Sequence, residues 1–418
     1  MKVFVRLLGV LFLLFTALPG HAATPAAPSA LPAPVPGRLT VYFLDVGQGD
    51  AALIVSPTGK TVLIDGGPPE AGTRLAARLR ELVKGPLDLV ILTHPHLDHL
   101  GGLPAALKAV GAKRFMDPGF DHPSEAYRAL LDFVGREVGQ VMTPEPNASA
   151  PQTLLTVGLG EGVSLTMLWP RMPQEPFLAN TRSDANANSI VAKLTYAKTS
   201  FLFTGDSEPP TEEALLQKPL DLTATVLKVA HHGGKHSSTA AFLDRVAPQA
   251  AVISCGVGND YGHPSPEVLG RLGDVHARTF RTDQDGEVMA VSDGATVTLR
   301  SSKGAASTVS VSGSQRSGSP VALGPIEPTP APRSGRAVEK EPEPGGTPKK
   351  PKGATTAPAP APTNTSEETG QSFVSLKGSK VFHRESCSTL KRSKNERTVY
   401  TRRSDALRER RPAEDCHP

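Results

Sequence analysis

The chain has 418 residues, 38% of them hydrophobic, with 40 prolines, 39 glycines and three cysteines, Cys255, Cys387 and Cys416. Three cysteines exclude a disulfide-built scaffold, and the modest apolar share points to unstructured sequence beside one large or two smaller domains. The formal net charge of +4 is unevenly placed: residues 23–300 sum to −6 and residues 373–418 to +6, which argues against a broad basic groove for nucleic acid on the main body.

The chain opens with MKVFVRLLGVLFLLFTALPGHA. Lys2 and Arg6 precede a short apolar run, Pro19-Gly20 breaks it, and Gly20 and Ala22 are small where a signal peptidase reads. Residues 1–22 therefore read as a signal peptide, cleaved rather than kept as an anchor because the apolar core is short for a span. No cysteine near that point offers a lipid anchor, and no other segment is apolar enough to cross a bilayer. The mature protein is expected to have no transmembrane span and to be exported, periplasmic or secreted. Residues 23–38 form a Pro/Ala spacer.

From Leu39 the pattern changes. LTVYFLDVG, AALIVSP and TVLIDGG read as strands, TRLAARLRELVK as a helix, and LDLVILTH as a buried strand. Ser124 begins a second helix. Later strands are GVSLTMLW, SIVAKLTY, TSFLFTGD, TVLKVAHH and AAVISCG, with helices at TAAFLDRVA and SPEVLGRLG. EVMAVSDGATVTLRS predicts a closing hairpin turned at Asp293-Gly294. Neighbouring hairpins mixed with helices predict two sheets packed together with helices outside, over residues 39–300. Residues 301–370, rich in Ser, Gly, Pro, Thr, Lys and Glu, read as a flexible low-complexity linker, and residues 371–418 as a small basic module.

The stretch THPHLDH sets His94, His96, Asp98 and His99 within six residues after an apolar run. Imidazoles and a carboxylate crowded into one turn are costly without a shared partner, and a divalent metal is that partner. Nitrogen and carboxylate ligands suit zinc, iron or manganese. Other candidate ligands stand at strand ends: Asp206 after FLFTG, His231 and His232 after VLKVA, and His263 in a loop before a helix. Sheets gather functional groups at such ends, and Asp206 suits the bridge between two ions. His122, His236 and His276 read as structural or surface histidines, and Cys255 as a core residue.

THPHLDH resembles the HxHxDH signature of the metallo-β-lactamase fold superfamily. FLDVGQGDAALIVSPTGKTVLIDGG, FLFTGD, LKVAHHGGKHSST and YGHPSPEVLGRL look like the hydrolase domain of ComEC-type DNA-internalisation proteins and their stand-alone relatives. The resemblance covers about residues 39–300 and implies an α+β, four-layer αββα sandwich holding two divalent ions, zinc or manganese. It assigns His94 and His96 to the first metal, Asp98 and His99 to the second, and Asp206 to the bridge. One of His231 or His232 completes the second site, with His231 favoured. Asp65 would support the ligand loop and Asp50 would line the pocket.

The expected catalytic residues are Asp98 and His263; His263 is a candidate to protonate the leaving group, or else a further ligand or a helix-capping residue. The implied activity is phosphodiester hydrolysis, in nucleic acid, by a water ionised near neutral pH between the metals. Alternatives are another ester, such as a cell-wall phosphodiester, a β-lactam, or a non-catalytic wall- or DNA-binding role. The chain departs from the superfamily pattern in lacking a further first-site histidine between THPHLDH and Asp206, where it has His122 and, before a strand, Asn188. It also has HHGG for the commoner HHGS, and lacks the membrane channel of true ComEC proteins. The tail resembles Ada-like metal-binding modules: His383, Cys387 and Cys416 match, while Ala413 stands where another cysteine is usual. Zinc binding, a Cys387–Cys416 disulfide and unpaired thiols all stay open, and the basic module is a candidate contact for a polyanion.

Overall fold

The computed structural model describes residues 31–146, 153–171, 175–303, 309–312, 373–376, 381–384, 390, 397–400 and 411–412. The chain divides into two units, Met1–Gly324 and Pro325–Pro418.

In the first unit, strands β1 (Leu39–Phe43), β2 (Ala52–Val55) and β3 (Thr61–Ile64) form an antiparallel meander. Helix α1 (Gly72–Leu82) then carries the chain to β4 (Leu89–Ile91), parallel to β3. The short α2 (Leu97–Leu100) and α3 (Leu103–Val110) lead to β5 (Arg114–Met116), and α4 (Glu125–Glu137) to β6 (Gln140–Met142), both added in parallel. Parallel neighbours need such crossovers, whereas the meander needs only tight turns.

A second sheet follows. Strands β7 (Thr156–Gly158), β8 (Val163–Trp169), β9 (Val191–Tyr196) and β10 (Thr199–Phe203) are antiparallel, with α5 (Asp184–Ala187) between β8 and β9. Then α6 (Pro209–Leu216), β11 (Val226–Lys228), α7 (Ala240–Val246), β12 (Ala250–Ile253), α8 (Pro266–Asp274) and β13 (Arg278–Arg281) extend it in parallel. After the single-turn α9 (Thr282–Asp285), strands β14 (Val288–Ser292), β15 (Thr296–Ser301) and β16 (Val309–Ser312) return beside β1. The strand orders are β16-β15-β14-β1-β2-β3-β4-β5-β6 and β13-β12-β11-β10-β9-β8-β7.

The strands are apolar on both faces because both faces are covered. Val41, Phe43, Ile54, Ile64 and Ile91 meet Leu194, Phe201, Phe203 and Val252 between the sheets. The alternate residues Tyr42, Leu53, Leu63 and Val90 pack outward on Leu75, Leu79, Leu103 and Val134 of the helices. On the other side Leu202, Leu227 and Ile253 pack on Leu215, Phe242, Val268 and Leu272. A side-chain period of two thus builds the four-layer αββα sandwich the sequence predicts.

Ser124, Thr239 and Ser265 accept backbone N–H bonds as N-caps of α4, α7 and α8. The hairpin turns where expected: Asp293 Oδ1 accepts the N–H groups of Ala295 and Thr296, and Gly294 takes φ +88°. The first unit also uses sequence on either side of residues 39–300. Leu31 is buried, Tyr42 Oη donates to Pro32 O at 2.7 Å, and β16 pairs with β15 inside the stretch read as linker.

In the second unit, β17 (Phe373–Leu376) pairs antiparallel with β18 (Val381–Arg384) and β19 (Arg397–Tyr400), and β20 (Arg411–Pro412) joins β18 in parallel. Val374 and Leu390 are buried together. Cys387 and Cys416 lie outside the described residues, as do residues 1–22 and the side chain of His383. Among the described residues, no helix is long and apolar enough to cross a membrane.

Candidate metal centre

The ligand turn begins where β4 ends. His96 is extended, with φ −87° and ψ 152°, and caps the single turn of α2, which carries Asp98 and His99. Asp65, just after β3, sits at φ +58° and is enclosed. It accepts the Thr93 N–H and the Thr93 hydroxyl at 2.7 Å each, and lies 2.8 Å from His99 Nδ1. With a carboxylate on Nδ1, His99 carries a proton there and turns Nε2 inward. Asp65 is therefore an orienting group behind a ligand.

Among the described residues, Asp98, His99, Asp206 and His232 bring ligand atoms within 4.8 Å of one another. His99 Nε2 is 3.2 Å from Asp206 Oδ1, and His232 Nε2 is 3.2 Å from Asp98 Oδ2 and 3.6 Å from Asp206 Oδ2. His232 Nδ1 donates to Ser254 O at 3.0 Å, which leaves Nε2 turned to Asp98 and Asp206 for a proton or a metal. His99 Nε2 and Asp206 Oδ1 are buried and have no hydrogen-bond partner among the described residues. An imidazole nitrogen and a carboxylate oxygen facing across 3.2 Å need a proton or a metal cation between them, and the donor set is one that divalent metals take.

The electrostatics agree. Burial opposes charge on His99, yet the Asp206, Asp65 and Asp98 carboxylates outweigh it and hold its pKa well above the ordinary value. Burial likewise opposes charge on His232, whose pKa is pushed up to about 10 by Asp206 and Asp50. Burial would raise Asp98 and Asp206; the facing imidazoles instead hold both well below the usual carboxylate range. The pocket carries excess negative charge that must be met by protons or by metal cations.

The first-site histidines adjoin this group. His94 Nε2 is 3.1 Å from His96 Nδ1 and 3.8 Å from Asp206 Oδ2. Burial, reinforced by His99, holds the His94 pKa well below its ordinary value, as a ligand imidazole requires. Asp206 thus stands between the histidines of THPHLDH and His232. Its own N–H donates to Ser189 Oγ at 3.1 Å, a support that sequence reading did not single out.

Three expectations are corrected. His232, not the favoured His231, joins the group of four; both have left-handed backbones, and His231 stands beside the group with Nε2 3.8 Å from Asp206 Oδ2 and Nδ1 4.0 Å from Glu208. Asn188 is no pocket residue: Nδ2 donates to Leu178 O and Asp184 O, and Oδ1 accepts the Leu178 N–H. His263 is close, with its ring 5.6 Å from that of His231, but burial and the neighbouring His232 and His231 push its pKa down to about 3. Such an imidazole is neutral at pH 7 and gives or accepts a hydrogen bond, without the imidazolium proton an acid would need. His122, read as a bystander, lies with its ring 5.9 Å from that of His96.

The His231–His232 loop is clamped by residues the sequence did not flag. Buried Glu212 accepts the N–H groups of Ser238 and Thr239 at 2.6 and 2.9 Å and the Thr239 hydroxyl at 2.6 Å. Arg271 donates to Lys235 O, Ser237 O and Ser238 O at 2.8 Å each. A charged residue within each of the helices α6 and α8 was the available signal.

Residues 44–171 match the family model of the metallo-beta-lactamase superfamily. The chain has the metallo-β-lactamase fold. It is 30% identical over 266 residues to ComE operon protein 3 of Bacillus subtilis, covering 59% of this chain and 32% of that protein. It is 30% identical over 254 residues to Recombination protein 2 of Haemophilus influenzae, covering 59% and 28%, and 28% identical over 261 residues to Competence protein ComA of Neisseria gonorrhoeae, covering 62% and 33%. This metallo-β-lactamase-fold chain spans about a third of the length of the curated relatives it matches.

Proposed function

We propose that the chain is an exported metal-dependent phosphodiesterase acting on nucleic acid. The observation that carries the reading is the convergence of the THPHLDH side chains with Asp206 and His232, leaving buried His99 Nε2 and Asp206 Oδ1 face to face at 3.2 Å. Relatives named for competence and recombination support the nucleic-acid substrate.

In this reading His94, His96 and Asp206 would hold one divalent ion, and Asp98, His99 and His232, with Asp206, would hold the other, zinc or manganese. Bound there, the ions supply Lewis acidity and a water nucleophile at neutral pH. Asp65 and the Ser254 carbonyl orient His99 and His232, and His263 faces the substrate as a neutral imidazole. Residues 371–418, with their net charge of +6, tether a polyanion and relieve the repulsion that a −6 body imposes. Residues 1–22 direct export, so N-terminal sequencing of the exported protein is expected to begin at Ala23.

The test is hydrolysis of bis-p-nitrophenyl phosphate and nicking of plasmid by the mature protein. Manganese or zinc is expected to support both, and chelation to remove them. Faster turnover of nitrocefin than of either phosphodiester, or activity indifferent to chelator, would sink the reading. Deleting residues 371–418 is expected to weaken DNA retention at low salt while leaving small-substrate turnover intact; unchanged retention rejects the tether.

A further inference from the structure

We infer that Asp50 and Lys228 are a positioning ion pair that registers the two ligand-bearing sheets and fixes His232 from behind. The inference rests on the metal site proposed above. Asp50 ends the Gly-Gln-Gly-Asp loop between β1 and β2, in the first sheet, and Lys228 ends β11, in the second. Their side chains meet at 2.7 Å and are only 6% and 5% exposed. Lys228 also donates to Val229 O at 3.0 Å.

Each partner is tied to a different half of the site. The Asp50 N–H donates to Asp98 O at 3.2 Å, and Asp50 O accepts the Gly67 N–H at 2.7 Å. Gly49 is bound so closely that a Cβ there would sit 2.3 Å from Asp98 O. Lys228 is four residues before His232. The loop therefore grips the turn that carries Asp98, while its carboxylate grips the strand that delivers His232.

The carboxylate has a free end. Asp50 Oδ1 is buried, has no hydrogen-bond partner among the described residues, and lies 3.4 Å from His232 Nδ1. There it reinforces the Ser254 carbonyl in keeping the proton on Nδ1 and the lone pair of Nε2 toward Asp98 and Asp206. Beside the pair is a cavity of about 10 Å³ lined by Asp50, Asp65, Thr93, Phe203 and Lys228, space for about one water, so bulk solvent does not screen a charge left alone there. A buried pair kept for stability alone adds little over an apolar one; this pair instead aims an oxygen at a ligand imidazole.

The test titrates the full mature chain with Mn²⁺ and records the visible absorption of its Co²⁺ form, which reports ligand geometry without turnover. Lys228→Met and Asp50→Asn are each expected to weaken Mn²⁺ binding about ten- to a hundredfold and to shift the Co²⁺ bands. The double variant D50N/K228M strands no charge, so it is expected to fall short of the product of the single losses while staying about tenfold or more weaker than the parent. Parental affinity and Co²⁺ bands in the variants would overturn the inference, even with a lowered melting temperature, since the pair would then be structural only. If a single variant does not fold, the double variant decides by the same criterion. A parent chain that binds no metal overturns this inference and the metal site together, whereas one that binds metal without cleaving phosphodiesters removes only the substrate reading.

Discussion

Asp206→Asn is expected to lower metal-dependent phosphodiester hydrolysis by about a thousandfold or more, with the fold intact. Asp206 is the side chain on which both halves of the centre converge, 3.8 Å from His94, 3.2 Å from His99 and 3.6 Å from His232. Asparagine keeps the shape and the backbone bond to Ser189 but replaces an anionic ligand with a neutral amide. Ions in such a site are worth several kcal/mol to the transition state, and each 1.4 kcal/mol is about tenfold in rate, so loss of one ion accounts for about three powers of ten. The variant should fold but melt somewhat lower, because it removes a carboxylate that the facing imidazoles of His99, His232 and His231 hold ionised in the folded chain. Bound metal per chain and kcat/KM are the measurements. Activity within tenfold of the parent, with two ions still bound, would refute the assignment of Asp206 as bridge.

Gly102→Ala is expected to destabilise the metal-free protein by about 3 kcal/mol, a large fraction of the roughly 5–15 kcal/mol that holds a domain together. A Cβ on Gly102 would lie 2.1 Å from Gly66 O, and the obstacle is backbone, which cannot swing aside like a side chain. The contact is part of a knit of main-chain bonds: Gly102 N–H to Gly67 O at 2.9 Å, and Gly66 N–H to His99 O at 2.7 Å. The glycine pair that ends THPHLDHLGG thus lets the ligand turn lie directly on the Gly66-Gly67 loop. Denaturant unfolding in chelator measures the loss, and metal titration of the folded fraction should show weaker binding because His99 is displaced. A cost under about 1 kcal/mol would mean that the two loops part without penalty and do not hold the turn.

Much of this was legible in the chain because it is local. Apolar runs bounded by glycine predict strands, Ser124 predicts the start of α4, and Asp293-Gly294 the closing hairpin; each depends on neighbours within one turn. The cluster of His94, His96, Asp98 and His99 is equally local, since one strand end and one helical turn set all four. Tertiary structure alone decided the rest. That His232 joins the group of four depends on Ser254, which reaches the loop from the end of β12 and holds its Nδ1. Asn188 stood in a suggestive place, yet the carbonyls of Leu178 and Asp184 claim its amide. The neutral state of His263 comes from burial beside imidazoles far from it in sequence order.

The residues around the ligands show the same division. Asp65 precedes a glycine and invites a turn reading, but its partners Thr93 and His99 lie just past β4 and on α2. Glu212, Arg271 and Lys228 are ordinary charged residues until α6, α8 and β11 bring them to the His232 loop and to Asp50. By itself the sequence determined which side chains are fit to bind metal and which segments are apolar on both faces, since composition and short-range spacing decide both. Only the folded chain decided which nitrogen and which oxygen face the pocket, because orientation follows from hydrogen bonds and charges contributed by segments distant along the chain.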